Sequence, residues 1–70
     1  MKNSYVLAGT INSYPVKTKY FKNSNKALNY LEKLLDEYNV QIEDIYKTGD
    51  EMTTYVANTY SRFILTKLIG

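Results

Sequence analysis

The side chains of this chain that could do chemistry are tyrosines, lysines and carboxylates. There are 8 Tyr, 9 Lys or Arg and 7 Asp or Glu, with no His and no Cys. Without His the commonest general base and metal ligand is missing. Without Cys there is neither a thiolate nucleophile nor a disulfide. The serines have no imidazole to activate them, and Gly9, Gly49 and Gly70 stand alone rather than in a phosphate-cradling loop. Asp36/Glu37, Glu43/Asp44 and Asp50/Glu51 are adjacent pairs that diverge on regular structure. Asp44, Asp50 and Glu51 flank a turn but lack the ordered spacing of a calcium loop. We therefore expect no enzyme, no cofactor and no metal.

What remains is surface chemistry. Charge is segregated along the chain: residues 1–31 carry +5 and no acid, residues 32–51 carry −5, and residues 52–70 carry +2. The net charge of +2 is low for a generic nucleic-acid binder. With no Trp and two Phe, tyrosine supplies most of the aromatic surface. A buried tyrosine hydroxyl needs a partner, so eight such rings either lie on half-buried strands or form a contact surface.

The elements that position these groups follow from periodicity. Tyr5–Asn12 and Val16–Lys22 read as strands joined by the turn residues Asn12-Ser13-Tyr14-Pro15. A turn on Ser13 and Tyr14 pairs Ile11 with Val16, Gly9 with Thr18 and Leu7 with Tyr20. One face is then Tyr5, Leu7, Gly9, Ile11, Val16, Thr18 and Tyr20. The other is Val6, Ala8, Thr10, Lys17, Lys19 and Phe21. Next, Ala27, Leu28, Leu31, Leu34, Leu35 and Tyr38 trace one helical stripe, with Asn23 or Ser24 as N-cap and Asn39 as a left-handed C-terminal residue. Residues 40–47 suggest a bend near Glu43 and Asp44, then a short strand. Thr48-Gly49-Asp50 is a turn. Met52–Asn58 and Arg62–Ile69 form a hairpin in which Met52, Thr54, Val56, Phe63, Leu65 and Ile69 share one side. Thr53, Tyr55, Ala57, Arg62, Ile64, Thr66 and Leu68 share the other.

These elements assemble as an α+β fold: an antiparallel sheet of four to five strands with one amphipathic helix packed on one face, in the order ββαββ or ββαβββ. Seventy residues make a single domain. The chain has no membrane-length apolar run and no signal-peptide core, so a cytoplasmic location is expected. One helix cannot cover both sides of a sheet. The uncovered side is expected to show Lys17, Lys19, Phe21, Tyr55, Arg62 and Ile64 as a binding surface, with Val6 nearby. Lys22 and Lys26, at the helix N-terminus, are candidate anion or phosphate contacts.

Two functions fit that surface. The first is a small accessory, regulatory or inhibitory protein, of phage or mobile-element type, that binds a protein partner or a second copy of itself. The second is a DNA- or RNA-binding protein that uses the basic hairpin and helix N-terminus. Residues 5–35, two strands followed by Phe21-Lys22-Asn23-Ser24-Asn25-Lys26-Ala27-Leu28-Asn29-Tyr30-Leu31, resemble the arm-type DNA-binding domain of tyrosine integrases. In that family a sheet docks into the major groove and a helix supports it. The resemblance covers less than half of the chain. The acidic segment 32–51 departs from it, and no functional residue is carried over.

Overall fold

The computed structural model describes residues 4–68. Its elements are β1 (Tyr5–Ile11), β2 (Tyr14–Phe21), α1 (Ser24–Tyr38), β3 (Asp44–Thr48), β4 (Met52–Asn58) and β5 (Ser61–Lys67). The order is therefore ββαβββ. The five strands form one antiparallel sheet with spatial order β2-β1-β5-β4-β3. The last strand thus inserts beside the first, and the two hairpins flank that central β1–β5 pair.

The helix is bounded as its sequence requires. The Asn23 side chain accepts a hydrogen bond from the Lys26 backbone N–H at 3.0 Å, which makes Asn23 the N-cap. Asn39 adopts the left-handed conformation at φ 54°, and the Val40 N–H reaches back to the Leu35 carbonyl at 2.9 Å. From there Val40 and Ile42 pack against the core. Leu7, Ile11, Ala27, Leu31, Phe63 and Leu65 form that core between α1 and the sheet. The helix lies across β1 and β2, so β3 and β4 are thinly covered on the same side, and Ile45 is 58% exposed.

Three backbone features set which side chains face the helix. First, the β1–β2 turn falls on Asn12 and Ser13, both at positive φ (50° and 71°), as in a two-residue type I′ hairpin loop. Ile11 therefore opposes Tyr14 and Thr10 opposes Pro15. Pro15 belongs to the edge strand, where its missing N–H costs no ladder bond. Second, the register slips between Leu7 and Gly9, so Leu7 opposes Lys19 while Gly9 opposes Val16. Third, the register slips again between Val56 and Asn58, leaving Ala57 in a bulge.

Each slip overturns an expected face. Lys19 and Phe21 turn toward the helix, whereas Thr18 and Tyr20 turn away from it. On β4, Thr53 and Tyr55 pair with Leu65 and Phe63 on the helix side. Met52, Thr54 and Val56 pair with Thr66, Ile64 and Arg62 on the other. The expected placement of Ile69 lies outside the described residues.

The central pair is unusually close at one point. Phe63 is fully buried and opposes Gly9. A Cβ at Gly9 would collide with the Arg62 carbonyl oxygen and approach the Phe63 Cα to 2.8 Å. Both are backbone atoms of a central strand and cannot swing aside. Gly9→Ala is therefore expected to destabilise the fold by about 1–3 kcal/mol, the usual range for overpacking. That is a large share of the about 4–10 kcal/mol typical of a chain this size. A urea midpoint unchanged from wild type would contradict it.

Candidate functional site

The side of the sheet facing away from α1 is uncovered by any described residue, and its geometry follows from strand register. Side chains across it stand in three rows. One row runs Tyr20, Val6, Thr66, Met52, Thr48 from β2 to β3. The middle row begins at the β2 bulge, where Lys17 and Thr18 oppose Ala8, and continues through Ile64, Thr54 and Tyr46. The end row is Pro15, Thr10, Arg62, Val56, Asp44.

The face is apolar and hydroxyl-bearing in its interior. Val6, Ala8, Thr54, Val56, Ile64 and Thr66 are each only partly buried. Tyr20 and Tyr46, on the two edge strands, are 58% and 56% exposed. Among the described residues three charges stand on the face, and all are peripheral: Lys17 on an edge strand, and Arg62 and Asp44 in the end row. Arg62, Val56 and Asp44, with Glu43 and the β4–β5 turn, line a shallow hollow there.

Of the six residues expected on this side, three are on it: Lys17, Arg62 and Ile64. Lys19, Phe21 and Tyr55 are on the helix side, for the register reasons given above. Lys19 Nζ stands 4.7 Å from the centre of the Tyr30 ring of α1, a cation–π contact. Phe21 packs on the same ring at 5.6 Å. Tyr55 belongs to an apolar groove with Leu28, Leu31, Leu35, Ile42 and Ile45. Thr54, Tyr20, Tyr46 and Asp44 join the open face instead. Strand alternation would have found them only with both bulges known.

Lys22 and Lys26 are exposed at the start of α1. Lys26, Asn29, Tyr30 and Lys33 line a hollow on the flank of the helix that Lys19 approaches. The helix carries no acid in its first turn and no base in its last. Lys26 and the Asp36/Glu37 pair thus oppose the macrodipole, a cost of about 0.3–1 kcal/mol per charge at an exposed helix end. The result is a basic flank at the helix N-terminus beside β2, and acidic groups at the helix C-terminus.

Among the described residues no group of three or more His, Cys, Asp or Glu is placed to hold a metal ion, and no helix is long and apolar enough to cross a membrane. No protein-family model, curated protein or solved structure matches the chain. The resemblance of residues 5–35 to integrase arm-type domains therefore stands on strand–strand–helix order alone.

Burial pushes the Tyr55 phenol above its ordinary value. The sign follows from linkage. A group that keeps its proton longer in the folded state stabilises the fold fully below the unfolded value near 10, and loses that contribution as pH rises through its folded value. Alkaline urea titrations should therefore show wild type losing stability relative to Tyr55→Phe above about pH 10. Parallel pH profiles for the two proteins would show that burial does not hold this proton.

Proposed function

We propose that this chain is a non-enzymatic macromolecule-binding module that takes a protein surface on its uncovered sheet face. The observation that supports this is the distribution of polarity on that face: a partly exposed apolar and threonine-rich centre, with Lys17, Arg62 and Asp44 at its perimeter. That is the anatomy of a protein interface, whose centre is depleted in charge and whose rim is polar. A soluble face with no partner would carry polar side chains at alternate positions of each strand. Val6, Ile64 and Val56 interrupt that pattern on three adjacent strands. Such a module suits an accessory or inhibitory protein, whose activity is to occupy a surface on something else.

The test is affinity capture from a native lysate. Wild-type bait is expected to retain a partner that Ile64→Glu bait loses by about tenfold or more, since a charge buried at the centre of an interface is costly. Bait carrying Lys33→Glu, on the basic flank, should retain it. Equal retention by the Ile64 variant, with its thermal midpoint near that of wild type, would overturn the assignment of the face.

A second reading has its own support. Lys19, Lys26 and Lys33 gather about Tyr30, with Lys22 one residue before the N-cap. Four such cations suit the phosphate backbone of DNA or RNA. Binding by four contacts to duplex DNA implies that log K falls with log salt at a slope of about −3.6. Lys26→Glu should then weaken oligonucleotide binding while stabilising the free protein by about 0.3–1 kcal/mol. Absence of binding to mixed-sequence oligonucleotides at low salt would exclude this reading and leave the first untouched.

A further inference from the structure

We infer that the occupant of the uncovered face is a second copy of this chain, docked face to face about a two-fold axis that runs along β4. The inference rests on the reading of that face as the binding surface and adds the identity of what it binds.

The argument comes from the end row. Asp44, Val56 and Arg62 stand side by side on β3, β4 and β5. With strands about 4.8 Å apart, Asp44 and Arg62 lie on either side of Val56 and about 10 Å from each other. An opposite-charge pair disposed symmetrically about one strand is self-complementary under a two-fold rotation along that strand. The rotation sets Arg62 over the partner's Asp44 and Asp44 under the partner's Arg62, giving two reciprocal ion pairs from one pair of residues. Stacked sheets are about 10 Å apart, a gap that an Arg and an Asp side chain together span.

The part of the face on β3, β4 and β5 agrees with this axis, and β1 and β2 lie outside the overlap. Val56, Thr54 and Met52 each meet their own counterparts along β4, and Ile64 meets the partner's Tyr46. All of these contacts are uncharged. An axis along β5 would instead oppose Arg62 to Arg62, and one along β3 would oppose Asp44 to Asp44. Each would bury like charges. Lys17 lies on β2, outside the overlap, and stays solvated.

The overlap of β5, β4 and β3 projects to about 240 Å² per copy from strand spacing and rise. This is small beside the ~800 Å² of accessible surface that each partner gives in a standard interface. The dimer is therefore a weak and reversible one, of the transient class.

Sedimentation equilibrium of the full chain, from about 5 to about 500 µM, tests this, with Kd fitted in that range. Wild type should show a monomer–dimer equilibrium. Arg62→Asp and Asp44→Arg should each weaken it by about tenfold or more, equivalent to about 1.4 kcal/mol. The double variant Arg62→Asp/Asp44→Arg should recover dimerisation to within about threefold of wild type, because the swap restores both pairs. Far-UV circular dichroism and thermal midpoints certify that each variant is folded. A strictly monomeric wild type, single variants that dimerise as wild type does, or a double variant no better than the singles would each overturn the inference. If the chain is monomeric yet still captures a partner in an Ile64-dependent way, the binding face stands and only its occupant is wrong.

Discussion

The contact between Gly9 and Phe63 is the constraint on which the rest of the molecule depends. Among the described residues Phe63 is the largest fully buried side chain, and it lies where β1 offers no side chain to oppose it. That vacancy lets an aromatic ring occupy the middle of the core without forcing β1 and β5 apart. Leu7 and Leu65 pair directly one step along the same two strands. Leu31 and Ala27 of α1 complete the cluster. Because the ring fixes which way β5 faces, it also fixes its neighbours: Arg62 and Ile64 must stand on the opposite side, away from the helix.

A second constraint ties the two hairpins at one end. Ser61, the buried polar side chain among the described residues, accepts a hydrogen bond from the Asn12 backbone N–H at 2.9 Å. The next residue, Ser13, donates its N–H to the Tyr60 carbonyl at the same distance. Two loops distant in sequence are thus joined through groups that would otherwise be orphaned. The Asn58 side chain, accepting from the Tyr60 N–H, shapes the second of these loops. These contacts hold the β1–β2 turn on Asn12 and Ser13, which sets Tyr14 against Ile11 and Val16 against Gly9, and the slip between Leu7 and Gly9 then decides which residues face which way on the rest of β2.

The sequence announces its fold more readily than its faces. The helix is legible because six apolar positions repeat at one period and both ends carry asparagines suited to their caps. Four or five strands, in the order ββαββ or ββαβββ, follow from the spacing of turn residues, and the structure adds β3 to make five. The faces of β2 and β4 are not legible, since a bulge is one residue of slippage with no composition of its own. Simple alternation therefore puts Lys19 and Phe21 opposite the helix, whereas the structure sets both against Tyr30. Tyr55 moves likewise into the groove beneath α1. Strand alternation puts Lys17, Arg62 and Ile64 on their observed side. Arg62 and Ile64 alternate directly with the buried Phe63 and Leu65, and Lys17 precedes the slip on β2 when counted from Val16.

The sheet has an odd number of antiparallel strands, and this bears on how the molecule can multiply. In the order β2-β1-β5-β4-β3 the two outermost strands run in the same direction. Copies laid flank to flank in one orientation would meet through a parallel seam, the less stable kind of ladder per residue. The outer strand β2 also brings a proline and a kink to that seam, and β3 is five residues long. Lateral growth into a ribbon is thereby discouraged at its first step.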